Sequence, residues 1–589
     1  MKRIVSLLLA VIMIAASLFS LSSCGTPKNA GPEIAVYLGD AVYDFDPTDY
    51  YADSNAEQVM SLLFEPLFKV NSKGEISCAA AKEYSVDEQK REIVVSLRES
   101  YWSDEIRVLA DDFIYAWREV LLHPEKPNPA AALLYDIENS IAIKSGEKSY
   151  SEFGAVKTGI YEITIKYREG ADYKQLLKNL ASVATSPLRK EIVEASEFSN
   201  TYWSKDISTI VSNGPFRISA LDYSVGEFSL ARNLGYHQKS SAKDYTKNVT
   251  PGELISSFVV NGQTLELTYD DIASKTVFFM GDATLEDREL NKAKAKTADD
   301  LSTYTYVFNT VDNPLLAIKE IRQALSLALD RAAIAKAVTF GKAATGFLPD
   351  AVAKSVYGKK VPERLLADYE ANLAKAKELV KSVNLTGISE SFTLTVNDDE
   401  QSVKIATIAQ AAWRELGFNV TIDKIGFVKS SVMDTLYNEE RIIYDSGIQA
   451  LVKEASYGNR NFDVLAIDWQ MYSTDAFVAL SAFANAMCGN GVDQASNTVR
   501  KNISGWSSAL YDQYLNAAYI ADTKAERREA LKKAEEILLD SCPIAPVLYN
   551  QSFAFVSKDL SGVKIDGFGN FVFTKVSQKN YEKYLKEED

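Results

Sequence analysis

The chain has 589 residues, beyond what one hydrophobic core holds, and at about 150 residues per domain it reads as three or four units. Its 80 acidic and 64 basic residues give a net charge of -16, which argues against nucleic acid and against a basic patch lying on anionic lipid. Only two histidines are present, His123 and His237, so a zinc site of several histidines is excluded and a Ser-His-Asp triad would need one of these two.

In chain order, Lys2 and Arg3 precede an apolar run over residues 4–21, followed by Leu21-Ser22-Ser23-Cys24-Gly25. A basic tip, a hydrophobic stretch and small residues before a cut site describe an export signal. The run approaches the ~20 residues that span a bilayer core, so an uncleaved anchor is the rival reading. Residues 25–32, rich in Gly and Pro, read as a tether. A strand is expected over residues 34–38. Asp53-Ser54-Asn55 then caps a helix over residues 56–65, with Val59, Leu62 and Leu63 on its apolar face and Pro66 at its end. A strand over residues 93–97 precedes a helix over residues 113–122, where Phe113, Ala116, Trp117 and Val120 share a side. His123, just before Pro124, and His237, in a loop after Tyr236, read as turn or surface residues.

Short strands are expected at residues 161–167 and 228–231, then one long helix over residues 317–338 with Ile318, Ile321, Leu325 and Leu329 inward. Strands at residues 392–396 and 418–422 flank a helix over residues 403–416, and the charged stretch 437–459 reads as an insertion. Thr523 and Glu526 have capping-box spacing, and Pro543 stops the helix they open. Alternating helices and strands predict α/β layers. Cys78, Cys488 and Cys542 show no C-x-x-C spacing, so no disulfide framework is expected, with a single Cys488–Cys542 bridge left open. No nucleophile elbow, phosphate-binding glycine loop or dinucleotide fingerprint occurs, and no catalytic residue, metal or cofactor is assigned.

Four ordered stretches carry a family resemblance. Leu97-Arg98, Trp102-Ser103-Asp104 and the run from Ala110 through Asp112, Phe113, Tyr115 and Trp117 to Arg118 are similar to L-R, W-S-D-G and A-x-D-F-x-Y-S-W-x-R, with Glu105 where Gly is usual. Asn213-Gly214-Pro215-Phe216 with Leu230-Ala231-Arg232-Asn233 and Tyr236 is similar to N-G-P-[FY] and L-x-R-N-x-x-[YW]. Ile321-Arg322-Gln323-Ala324-Leu325, running on to Asp330-Arg331, is similar to V-R-Q-A-L-x-x-A-I-D-R, and Pro543-Ile544-Ala545-Pro546 with Tyr549 closes the series. Together they resemble the peptide-binding family of extracellular solute-binding proteins that serve ABC importers. Helical spacing makes Trp102, Trp117 and Arg331 packing residues.

The resemblance implies an α/β, periplasmic-binding-protein-like, two-lobed (Venus flytrap) fold of the large three-domain peptide-binder type. The expected division is 1–23 signal peptide, 24–33 tether, 34–70 with 205–310 and 545–589 as the main domain of the first lobe, 71–204 as its extra domain, and 311–544 as the second lobe. The sequence around Cys24 resembles the lipobox of bacterial lipoproteins. This implies a diacylglycerol on the Cys24 thiol and a monomer moored to the outer face of the cytoplasmic membrane by lipid alone. The implied partners are a peptide or peptide-like solute and the importer's permease subunits. A receptor for a signalling peptide or a non-peptide solute is the alternative, and a lipoprotein hydrolase is the rival from another class.

The family's G-W-x-x-D-Y-x-[DE]-P loop, whose aspartate pairs with a peptide's α-ammonium, is matched here by residues 468–476. Trp469 fits, Asp475 matches the second acid, and Tyr472 takes the place of the amine-binding aspartate. An ammonium buried without its anion costs about 2–5 kcal/mol, or one to three decades of affinity. Either Asp475 or Asp468 supplies the charge, or the ligand is a blocked peptide, a sugar or another neutral solute. The substitution favours the second. Asp53 and Tyr549 are placed at the cleft by the same resemblance, with helix capping and core packing as their plain alternatives.

Overall fold

The computed structural model describes residues 31–50, 54–122, 128–199, 201–238, 244–260, 263, 265–362, 365, 368–485, 487, 492–493, 498–499 and 502–579. The signal segment, Cys24, Asp53, His123 and Cys488 lie outside these. Among the described residues no helix is long and apolar enough to cross a membrane.

One eleven-stranded sheet runs through the molecule. Its order is Asn419–Ile425, Ser391–Asn397, Val464–Gln470, Lys296–Phe308, Ile544–Val556, Phe279–Met280, Glu33–Tyr37, Glu253–Ser257, Glu227–Arg232 and Phe216–Asp222, with Gly341–Ala343 added on Ile544–Val556. The two central strands, Lys296–Phe308 and Ile544–Val556, are 13 residues each and carry the chain from one lobe to the other. Residues 296–299 pair with 551–554 toward the first lobe, and residues 303–307 pair with 544–549 in the second. Between Asp299 and Thr303 the register shifts, leaving Asp300, Leu301 and Ser302 unpaired with the partner strand. A break in a ladder is where a sheet bends most readily.

A separate antiparallel sheet of Ala81–Asp87, Glu92–Leu97, Glu162–Lys166 and Ala155–Gly159 packs under helix Ala110–Leu122. Phe113, Ala116, Trp117 and Val120 are buried together as the periodicity requires. Trp117 Nε1 donates to Thr185 O at 3.0 Å and Trp102 Nε1 to Asp112 Oδ2 at 3.1 Å, so these motif residues are scaffold.

The long helix expected over residues 317–338 is two helices, Lys319–Leu327 and Arg331–Val338. Asp330 breaks it by accepting from Ala333 N at 2.9 Å, which starts the second helix. The Arg331 guanidinium then reaches Pro546 O at 2.7 Å and Ser326 O at 2.9 Å. Thr523 and Glu526 do form a reciprocal capping box, opening helix Lys524–Ser541.

The insertion begins earlier than its charge suggests. Strands Phe427–Asp434 and Glu439–Ser446 form a hairpin, followed by helix Gly447–Ser456. The hairpin leaves the second lobe's edge strand and lies against the first lobe. Tyr444 meets Tyr223 at 4.8 Å between ring centroids, Phe427 meets Tyr43 at 5.8 Å, and Arg441 Nη1 meets Asp206 Oδ2 at 2.6 Å. Lys205, almost wholly buried, lies between Asp44 and the hairpin's Asp445.

His237 is in a turn, yet it is half-buried rather than a surface residue. Its ring stacks on Tyr236 and its Nε2 pairs with Glu65, which also holds Lys69 Nζ at 2.6 Å. Cys78 and Cys542 are free thiols, and burial pushes the Cys542 thiol up to about 11.

Candidate functional site

Strand Val464–Gln470 ends at residues 471–475, a loop buried throughout except for half-buried Thr474. Met471 N donates to Leu301 O at 2.9 Å, which ties the loop to the register break of the crossing strand. Tyr472 has φ +58°, a left-handed conformation that costs a non-glycine residue about 1–2 kcal/mol. Such strain persists where the surroundings hold it. Here the Tyr472 ring stands edge-on to Tyr50, 4.9 Å between centroids, and Ser473 Oγ donates to Asn179 Oδ1 at 2.6 Å. A loop of the second lobe is thereby docked on two residues of the first.

The two acids that flank Tyr472 are engaged elsewhere. Asp475 accepts from Phe477 N at 3.0 Å as a helix cap and pairs with Arg527 Nη2 at 2.9 Å. Asp468 Oδ1 accepts from Asn550 Nδ2 at 2.6 Å. Trp469 is buried, stacked on Phe483 at 4.8 Å and edge-on to Phe347 at 5.7 Å. Thr303 is paired with Trp469 on one side and Tyr549 on the other, so these three share a sheet face turned into the second lobe's core. The Tyr549 hydroxyl accepts from Gly346 N at 2.9 Å and Thr345 N at 3.2 Å, and burial pushes it up to about 12. Tyr472 is therefore the residue of this set that meets the opposite lobe directly; Asp475, Trp469 and Tyr549 hold the wall behind it.

On the other sheet face stands a polar row that the sequence did not disclose. Asn550 Nδ2 bridges Asp468 and Ser302, and Gln470, opposite Ser302, faces Asp300. Glu57 and Asp566 of the first lobe complete a group of three carboxyls, with Asn570 Nδ2 at 3.4 Å from Glu57 and 3.5 Å from Asp566. Burial, with the Asp566 charge adding, pushes Asp300 up to about 6. Burial pushes Asp566 to about 6, and burial with both neighbouring charges raises Glu57 well above the usual carboxylate range. A cavity of about 100 Å³ opens on Glu57 and Asp566, its remaining wall largely apolar, including Leu62, Phe68, Val183 and Phe571. The traces in sequence were slight: Glu57 falls on the buried side of its helix, and Asp299-Asp300 interrupts a strand otherwise rich in Tyr, Thr and Val.

The model of the family described as bacterial extracellular solute-binding proteins, family 5, matches residues 75–490. The oligopeptide-binding protein OppA of Bacillus subtilis is 26% identical over 533 residues, 88% of each chain. The periplasmic murein peptide-binding protein MppA of Escherichia coli is 25% identical over 585 residues, 96% of this chain and 97% of that one. Among solved structures, Listeria monocytogenes OppA bound to peptide superposes with a TM-score of 0.74 at 18% identity, covering 93% of this chain and 99% of that chain. The MppA structure gives 0.73 at 22% identity, covering 93% of this chain and 97% of that chain. The strand order, the crossing pair and the matched residues all lead to one placement: this chain belongs to the bacterial extracellular solute-binding proteins of family 5, the peptide-binding family of ABC-importer receptors.

Proposed function

We propose that this chain is the lipid-anchored cargo receptor of an ABC importer, that its cargo is a peptide or peptide-like solute, and that it hands the cargo to permease subunits unchanged. The carrying observation is the docking of the Tyr472 loop on Tyr50 and Asn179, on the far side of a register break in the crossing strands. Two lobes that meet through a strained loop can trap a ligand, and a ligand that touches both favours the closed state. The relatives' names supply the class of cargo. In this reading Cys24 carries the lipid, on the outer face of the cytoplasmic membrane, and the receptor acts as a monomer without covalent chemistry.

The proposed division is residues 34–70, 205–310 and 545–589 as the first lobe's main domain, 71–204 as its extra domain and 311–544 as the second lobe, with the crossing-strand ends 303–308 and 545–549 reaching into the second lobe's sheet. Tyr472 and Tyr50 form the ligand-facing wall, with Trp469, Asp475 and Tyr549 as its support, and Asp53 is assigned to ligand binding on the family resemblance alone. Mass spectrometry of small molecules released from the natively purified protein tests the reading. Intact peptides that raise the melting temperature on re-addition support it, and recovery of hydrolysis products instead would refute it.

A further inference from the structure

We infer that Glu57, Asp300 and Asp566, together with Gln470 Oε1 and the Tyr50 hydroxyl, form a subsite for a cationic nitrogen of the cargo, an ammonium or guanidinium group. The inference rests on the peptide reading above and adds the charge that the cargo must present. Among the described residues no lysine or arginine pairs with any of the three carboxyls; nearby Lys69 is held by Glu65 at 2.6 Å. Gln470 and Tyr50 are at least 98% buried; among the described residues Gln470 Oε1 has no hydrogen-bond partner, and the Tyr50 hydroxyl has only the Ser182 hydroxyl beside it. Buried polar atoms in native proteins are nearly always satisfied, so a group of acceptors left together points to a missing donor.

The donor's nature follows from the spacing. No group of three or more His, Cys, Asp or Glu side chains among the described residues is close enough to hold a metal ion, so the carboxyls stand wider than one coordination sphere. An ammonium offers three N–H donors and a guanidinium five, directed outward to separated acceptors. The adjoining cavity accommodates the aliphatic part that carries such a group. The acceptors also come from both sides of the cleft: Glu57, Tyr50 and Asp566 from the first lobe, Gln470 from the second, and Asp300 from the crossing strand between them. A cation held there links the lobes. The three carboxyls also supply the negative charge that Tyr472 took out of the loop.

The test uses two randomised tetrapeptide pools, one with free amino termini and one N-acetylated, offered to the wild-type protein, Asp300→Asn and Glu57→Gln. Retained peptides are read by mass spectrometry and thermal shift. Wild type is expected to favour cation-bearing peptides by at least about tenfold, equivalent to roughly 1.4 kcal/mol. If the nitrogen is the α-ammonium, the free pool is retained over the acetylated one; if it is a side chain, the acetylated pool yields lysine- or arginine-containing members. Both variants are expected to lose that preference while melting no lower than wild type without ligand. Retention of acetylated, cation-free peptides as strongly as the rest, or a preference surviving in both variants, overturns the subsite and leaves the peptide reading standing. Retention of nothing from either pool overturns the peptide reading, and the subsite with it.

Discussion

Tyr472 meets Tyr50 edge-on across the cleft, with 4.9 Å between ring centroids. Such a pair is worth about 0.5–1.5 kcal/mol beyond the area it buries. Tyr472→Ala is therefore expected to lower the closed fraction about two- to tenfold and to weaken cargo binding in proportion. Interlobe distance measured by paired fluorophores, with calorimetry alongside, checks both numbers. Unchanged closure in the variant would deny the pair its role.

The hairpin of residues 427–446 makes a second bond between lobes. Lys205 is buried, whereas Asp44 and Asp445 are 36% and 27% exposed, so Lys205→Met leaves two partly solvated carboxylates facing one another and is expected to cost about 1–3 kcal/mol. Arg441 and Asp206 are each about one-third exposed, so Asp206→Asn, which breaks that pair but leaves Arg441 on buried Asp434 at 2.8 Å, is expected to cost at most about 1 kcal/mol. Thermal denaturation of the two variants should rank them in that order.

The acidic group predicts how stability follows pH. Asp300 and Asp566 are raised to about 6 from ordinary values near 4. Between those values the folded state binds more protons than the unfolded one, so their contribution to stability is full below pH 4 and is lost as pH rises through 6. The unliganded melting temperature is expected to climb as pH falls from 7.5 to 5. Asp300→Asn should raise it by roughly 1–3 °C at pH 7.5 and flatten the climb. Glu65 acts oppositely: burial opposes its ionisation, but His237 and Lys69 hold its carboxyl well below the usual range, so its contribution is full above about pH 5 and falls away progressively as the solution is acidified.

Tyr549 separates support from contact. Tyr549→Phe removes the acceptor for the buried Gly346 N–H and the half-buried Thr345 N–H, a loss of about 1–3 kcal/mol. Stability measured in urea should fall by that amount, while cargo affinity stays within about twofold. A large affinity loss at unchanged stability would instead assign the hydroxyl to the ligand.

Much of this architecture was legible because its signals are local. The apolar face of helix Ala110–Leu122 and the box at Thr523 and Glu526 need only neighbouring residues to be read. The break at Asp330 was hidden because Ile334 and Val338 continue the apolar period across it. The hairpin was missed because its strands are mostly exposed, so no strict alternation of buried residues marks them. The loop at Tyr472 could be located by its pattern, but the occupation of Asp475 by Arg527 lies in the fold alone. Glu57, Asp300 and Asp566 are separated by hundreds of residues, and only the folded chain brings a helix, a crossing strand and a C-terminal hairpin turn together there.

The crossing strands give the molecule a particular mechanics. Because both run continuously from lobe to lobe, any rotation of one lobe on the other must twist this hydrogen-bonded ribbon. Its softest point is the stretch 300–302, so small shifts there become large travel at the lobe tips. Asp300 sits within that stretch, so in the subsite inferred above a cargo cation would meet the very segment that joins the lobes.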